Sequence, residues 1–320
     1  MSECVLVTGG SGFIGSWVLR ELLHLGLTPV VLDRAPNETR WQAILGSDQT
    51  GIQFVSGNLT DRQLLKRISE EHHISRVIHL AALLTPQCQE DPYEGCSVNV
   101  LGSVALFELI RSLGNQIRGL SYASSYAVHG PEADDHGDSA SSSLKSLTSQ
   151  ENRPPSFYGA FKLAVDLIAE QYWRHFGISS TGIRPHVVYG PERTVGMTAA
   201  PSLAARAAAR GEAATINYQA RLSYDYVEDV AAAFVRAAMD PKPGCRVLEL
   251  PGSIATSAEF ADTIVRIVPS AAGKILVSGQ DIPSNIPPSP RYFSETYPDW
   301  KHSSLEDGVR RTVQFYQVQH

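Results

Sequence analysis

The stretch Cys4-Val5-Leu6-Val7-Thr8-Gly9-Gly10-Ser11-Gly12-Phe13-Ile14-Gly15 decides the fold. Its first five residues form a short apolar run of strand type, and the glycines that follow turn the chain. From Gly12 to Leu25 the pattern becomes helical, with Phe13, Val18, Leu22 and Leu25 on one face. Outward from there the alternation repeats. Strands are expected at Pro29–Asp33, Gln53–Gly57, Arg76–Leu80, Gly119–Ala123 and Thr181–Pro185, with helices at 62–72 and 98–113 between them. Such alternation gives βαβ units with right-handed crossovers and a parallel sheet covered on both faces. The fold class is α/β, a doubly wound parallel sheet with a smaller irregular C-terminal part that binds substrate.

Gly9-x-x-Gly12-x-x-Gly15 after a strand and before a helix is an arrangement that holds a dinucleotide. The first glycine permits the tight turn, the second lets backbone approach a pyrophosphate, and the third lets helix and strand pack closely. The pyrophosphate rests on N–H groups at the helix start, where the dipole favours negative charge. Phe13 and Ile14, in that first turn, join the cofactor-binding set. Asp33 ends the second strand. A carboxylate there accepts the ribose hydroxyls of NAD and repels a 2′-phosphate, which favours NAD over NADP. Arg34 beside it either holds such a phosphate or stacks on adenine.

The strand Gly119–Ala123 runs into Ser124-Ser125-Tyr126, and 33 residues after Ser125 come Tyr158 and, four further on, Lys162. Carboxyl ends of parallel strands face the ligand crevice, and an i, i+4 pair shares one helix face. A free phenol, with a pKa near 10, is a poor base at neutral pH. A neighbouring ammonium and the positive ring of an oxidised nicotinamide favour the phenolate. Tyr158 then takes a substrate hydroxyl proton while hydride leaves the carbon, Ser125 fixes the same oxygen, and Lys162 also binds the nicotinamide ribose.

Composition bounds the remaining choices. The chain has 320 residues, 43% of them hydrophobic, and a net charge of −6 without a Lys/Arg cluster. That argues against nucleic acid or an anionic membrane surface as a partner. Cys4, Cys88, Cys96 and Cys245 show neither metal spacing nor a disulfide framework, which fits a reducing, cytoplasmic setting and no metal. No signal peptide or membrane span is expected. Residues 1–185 are expected to form the dinucleotide domain and 186–320 mainly the substrate-binding part, with 215–250 returning to the first. Ala133–Pro155, rich in Ser, Asp and Gly, reads as a surface loop or as a lid ending just before Tyr158. Ala199–Ala214 and Ser304–Tyr316 read as helices.

Together these residues resemble the extended short-chain dehydrogenase/reductase superfamily, in its NAD-dependent epimerase/dehydratase branch, over almost the whole chain. The matching segments are Thr8–Gly15, Asp33, Gly57–Asp61, His79-Leu80-Ala81-Ala82, Asn99–Gly102, Ser124–Gly130, Tyr158–Lys162, Arg184–Pro191 and Tyr226–Ala231. The resemblance implies a Rossmann fold, with Asn58 and Leu59 flanking adenine and Ala81 and Ala82 lining the pyrophosphate and ribose. It places Pro185 to Val188 near the nicotinamide, and it adds Leu80 and Asn99 to the cofactor set. It also implies a homodimer through the helices holding Asn99–Leu113 and Phe157–Phe176. The chain departs from the family pattern at Asn58, where aspartate is usual, and at His129, where tyrosine is usual. The 4,6-dehydratases carry Thr-Asp-Glu where this chain has Ser124-Ser125-Tyr126, which argues against elimination chemistry.

The substrate is less legible. Nucleotide-sugar epimerases usually carry Gly-Asp-Gly-x-x-Arg-Asp, which Asn217–Asp225 lacks, and Arg221-Leu222 is closer to the pattern of short-chain threonine dehydrogenases. Arg221, Arg193 and Thr194 are candidates for gripping a substrate carboxylate or phosphate, with Ser124, Ser125 and Tyr126 on the sugar or alcohol side. The two arginines equally suit surface ion pairs. Three functions stay open. The first is an NAD-dependent dehydrogenase of a small sugar, sugar acid, or hydroxy or amino acid. The second is a UDP-sugar 4-epimerase with tightly held NAD, and the third is a non-catalytic NAD-binding regulator.

Overall fold

The structure is a computed structural model and describes residues 2–130, 153–283 and 290–318. Of the expected loop or lid at 133–155, residues 133–152 lie outside the described residues. Along the first part of the chain run β1 (Cys4–Thr8), α1 (Phe13–His24), β2 (Thr28–Asp33), α2 (Glu38–Leu45), β3 (Gln53–Ser56), α3 (Arg62–His72) and β4 (Arg76–His79). Then come α4 (Thr85–Glu90), α5 (Pro92–Cys96), α6 (Gly102–Leu113), β5 (Gly119–Ala123), α7 (Phe157–Phe176) and β6 (Ser180–Arg184). The rest holds β7 (Val187–Tyr189), α8 (Ala200–Ala209), β8 (Ala214–Gln219), β9 (Arg221–Tyr226), α9 (Val227–Met239), β10 (Cys245–Glu249) and β11 (Ser253–Thr256). It closes with α10 (Ser257–Ile267), β12 (Ile275–Asp281), α11 (Phe293–Thr296) and α12 (Leu305–Val318).

Two compact units divide the chain. The first takes Met1–Val128, Pro154–Arg184 and Ala231–Glu249. Its seven strands form one sheet in the order β10-β6-β5-β4-β1-β2-β3, and every pairing is parallel. The order reverses at β1, whose neighbours are β2 and β4, and in such sheets a ligand crevice opens at the carboxyl ends beside that switch. Strands buried on both faces read as continuous apolar runs, as Val5, Leu6, Val7, Val30, Val31 and Leu32 do. The seventh strand, β10, has a weaker pattern, since Cys245, Arg246 and Val247 are only part buried at the sheet edge.

Local signals set the helices. The Asp61 carboxylate caps α3, accepting from the N–H groups of Gln63 and Leu64. Ser156 caps α7 through the Gly159 N–H, and Gly177 ends it in the left-handed conformation. The helix expected over 98–113 begins instead with a π turn, Ser97–Leu101, before α6. The widened turn carries Asn99 inward, where it is 2% exposed. The helical run Pro92–Gln116 is long and apolar enough to cross a bilayer by length and composition, and 44% of its apolar window is buried inside the fold. Leu106, Phe107 and Ile110 supply its hydropathy and belong to the core of the first unit.

The second unit takes His129–Arg153, Pro185–Val230 and Leu250–His320. It is more regular than its sequence suggests, with a three-stranded sheet β11-β9-β7 and a two-stranded sheet β12-β8. Its core gathers Tyr189, Tyr224 and Phe260, whose rings lie 4.9 to 6.4 Å apart. Thr256 and Glu259 form a reciprocal capping box at the start of α10.

Candidate active site

The glycine loop is built from backbone. Gly9 has φ +76°, and a Cβ there would lie 2.6 Å from the Ala81 nitrogen. A Cβ on Gly15 would lie 2.7 Å from the Gly10 Cα, so α1 packs directly on the loop. Asp33 at the end of β2 accepts from the Ser11 N–H at 3.1 Å and the Arg34 N–H at 2.8 Å. Two residues of α2 that sequence reading passed over also hold the loop. Arg40 donates to the Ser11 carbonyl at 2.9 Å, and the Trp41 indole donates to the Gly10 carbonyl at 3.3 Å.

These residues fit a bound dinucleotide. The first turn of α1 has no side-chain cap at Gly12 and no acidic residue, which leaves its positive end to an anion. The Ser11 hydroxyl is buried without a hydrogen-bond partner among the described residues, next to the Asp33 carboxylate. A cradle that a Cβ would fill, an uncapped helix start and an orphaned hydroxyl are what a pyrophosphate and its ribose require. Arg34 is exposed beside Asp33. Asn58 is exposed and its carbonyl oxygen accepts from Thr60, whereas Leu59 is buried in the core. Leu80, Ala81 and Ala82 are part buried at the end of β4. Asn99 spends its amide on the Leu83 peptide, accepting from the N–H at 2.7 Å and donating to the carbonyl at 2.9 Å. Its side chain therefore positions the loop after Ala82.

The end of β5 and one face of α7 bring the chemistry together. Burial pushes the Tyr158 phenol up to about 12. The nearby Ser125 hydroxyl opposes that rise and the nearby Cys88 thiol adds to it. Lys162 is 5% exposed and donates to the Ala123 carbonyl at 2.6 Å, with its ammonium 5.7 Å from the centre of the Tyr158 ring. Burial lowers its pKa to about 8, while Asp166 and Cys88 act to raise it. Ser125, Tyr158 and Lys162 thus sit in mutual reach. The expected lowering of the phenol by the ammonium is not achieved by the chain's own groups: desolvation dominates, and the influence that opposes it comes from Ser125. Tyr126 is buried in a short 3-10 turn, and Ser124 gives its hydroxyl to Asp166 at 2.8 Å.

Beneath this site runs a hydrogen-bond chain that the sequence did not disclose. The Ser103 hydroxyl donates to the Asn99 carbonyl at 2.6 Å and lies 2.9 Å from His79 Nε2. A carbonyl only accepts, so Nε2 carries the proton and Nδ1 accepts from Thr8, 2.6 Å away. Thr8 in turn accepts from the Ala81 N–H at 3.3 Å. Burial, and then the Lys162 charge, hold His79 down at about 3, so this tautomer is neutral at any working pH. The chain ties the root of the glycine loop to the π turn and to the strand end carrying Ala81.

The other candidates lie in the second unit. Pro185 is buried, and Val188 pairs with Asp225 in register in the three-stranded sheet. Arg193 is half-buried and donates to the Thr198 hydroxyl at 2.8 Å. Desolvation lowers its pKa to about 10, against the influence of Tyr218. Thr194 is exposed, as is Arg221 at the start of β9. No cluster of three or more metal-ligating side chains occurs among the described residues.

Sheet order, glycine cradle and the Ser-Tyr-Lys set define a nucleotide-dependent Rossmann enzyme of the extended short-chain dehydrogenase/reductase type. The sequence profile of the NAD dependent epimerase/dehydratase family matches residues 5–246, and the chain belongs to that family. Its cofactor is NAD. A UDP-glucose 4-epimerase of Bos taurus is 34% identical over 139 residues, which is 41% of this chain and 39% of that protein. The chain spans about two fifths of the length of the curated relatives it matches. Among solved structures, the Thermus thermophilus UDP-glucose 4-epimerase in complex with NAD is 25% identical, covers 98% of this chain and 99% of its own, and has a TM-score of 0.71. The Thermotoga maritima UDP-glucose 4-epimerase with UDP-glucose shares the fold at 23% identity, 99% coverage of both chains and a TM-score of 0.77.

Proposed function

We propose that this protein is a UDP-sugar 4-epimerase with tightly held NAD. Sequence reading put a dehydrogenase of small sugars or acids first. The relatives, named as UDP-glucose and UDP-glucuronate 4-epimerases, support the epimerase better. The observation that carries the proposal within the chain is the intact Ser125-Tyr158-Lys162 arrangement beside the glycine cradle. Bound NAD supplies a hydride acceptor and, when oxidised, a positive charge. Tyr158 accepts the proton of the sugar's 4-hydroxyl and returns it after the ketone has turned over. Ser125 hydrogen-bonds that same oxygen in both orientations. Lys162, lowered by burial to about 8, holds its ammonium 5.7 Å from the Tyr158 ring, and the positive charge of oxidised NAD would add the pull toward the phenolate that the chain's own groups do not supply.

Incubating the purified protein with UDP-glucose, UDP-galactose or their uronate forms tests this. Interconversion without net NADH supports the epimerase. Net NADH with a small hydroxy or amino acid, and no interconversion, supports the dehydrogenase that Arg221-Leu222 favours. As to assembly, exposed Tyr93 and Leu101 on the α5–α6 run and Phe157 and Leu167 on α7 are apolar surface on the two helices that would pair in a homodimer.

A further inference from the structure

Three consecutive residues at the end of β5 face three residues spaced by four on α7. Ser125 meets Tyr158, the Ala123 carbonyl accepts from Lys162 at 2.6 Å, and the Ser124 hydroxyl donates to Asp166 at 2.8 Å. One helical stripe therefore carries the proton acceptor, the ammonium and a buried carboxylate. Asp166 is 6% exposed and is itself gripped by Arg184, whose Nη2 and Nε lie 2.7 and 3.2 Å from the same oxygen. Arg184 also reaches Glu249 at 3.4 Å. The buried group thus holds two cations, Lys162 and Arg184, and two anions, Asp166 and Glu249.

We propose that Asp166 is a positioning residue for the reaction: through Ser124 it fixes the strand end that carries Ser125, and it supplies the buried negative charge one helical turn from Lys162. The inference rests on the reading of Tyr158 and Lys162 given above. The groups facing Lys162 are His79 from β4, Cys88 from α4, and Tyr158 and Asp166 from its own helix. His79 is neutral, and burial pushes the Cys88 thiol and the Tyr158 phenol up. Tyr122 on β5 and Cys245 on β10, which face Asp166, are likewise pushed up by burial. Of the groups facing Lys162, Asp166 is the anion that offsets its desolvation. Neutralising it would leave Lys162 and Arg184 against Glu249 alone, an excess of one buried positive charge.

The chain has six lysines, so a protein labelled with 13C at the lysine ε carbon gives a tractable spectrum, with Lys162 assigned by its loss in Lys162→Arg. Asp166→Asn keeps the shape and its oxygen but not the charge. Its Lys162 midpoint is expected to fall by about one pH unit or more, and the high-pH limb of kcat/KM to fall with it. Asp166→Glu is expected to restore both. In the wild-type chain the Asp166 carboxyl resonance should inflect at the Lys162 midpoint, a measurement that needs no variant to fold. A folded Asp166→Asn with an unmoved Lys162 midpoint, or a wild-type carboxyl that ignores it, overturns the assignment. These titrations in a chain that interconverts no UDP-sugar would uphold the role of Asp166 and overturn only the proposed activity.

Discussion

Replacing Gly9 with alanine attacks the cofactor cradle at its narrowest point. The backbone there has φ +76°, a region that costs an L-residue roughly 1–2 kcal/mol. The new Cβ would also stand 2.6 Å from the Ala81 nitrogen and 2.8 Å from its Cα. That neighbour is backbone and cannot swing aside. The Ala81 N–H is tied to Thr8 at 3.3 Å, and the Leu80 N–H to the Thr8 carbonyl at 3.0 Å. The loop must therefore move away from β4, taking the start of α1 with it. A loss of roughly 1.5–3 kcal/mol in binding corresponds to an NAD Kd raised about 10- to 100-fold, since each 1.4 kcal/mol is tenfold. Titration calorimetry with NAD, alongside the circular-dichroism melt, reads both effects. A Gly9→Ala protein that binds NAD as the parent does and melts at the same temperature would refute the reasoning.

Further expectations concern stability and assembly. Burial raises the Asp225 carboxyl from 3.8 to about 8, against the His186 N–H bond and with help from Asp229. The folded chain thus holds a proton that the unfolded chain releases, so stability falls as pH rises from about 4 to 8, by at most about 1.4 kcal/mol per unit. Asp225→Asn lacks this titration, and its melting temperature should gain on wild type across that window; parallel curves would contradict the assignment. Leu167→Glu places a charge on exposed apolar surface of α7. Sedimentation should show a dimeric parent and a monomeric variant of unchanged melting temperature, and an oligomeric state untouched by the change would remove that face as the interface.

Much of the first unit was legible because its signals are local. The Cys4–Gly15 run and the acid ending β2 each fix an element from a few neighbours. The i, i+4 spacing of Tyr158 and Lys162 likewise places both on one helix face. What escaped is tertiary. β10 pairs with β6 across more than sixty residues and carries a mixed edge pattern. Asn99 turned inward because a π turn shifted the register of its helix. His79 and Asp166 gain meaning only from partners on other elements, although Asp166, one turn after Lys162, lies on the stripe that was already singled out. The ammonium's failure to lower Tyr158 was invisible in the sequence, since burial depth is a property of the packed site.

Tyr158→Phe in the presence of UDP-glucose and UDP-galactose bears hardest on the chemistry. The phenyl ring keeps the packing on α7 and loses only the proton acceptor. Interconversion should fall by about 100-fold or more, the scale of general acid–base catalysis, while NAD stays bound and the melting temperature holds. A Tyr158→Phe protein that interconverts the two sugars at the parent rate would show that the proton goes elsewhere.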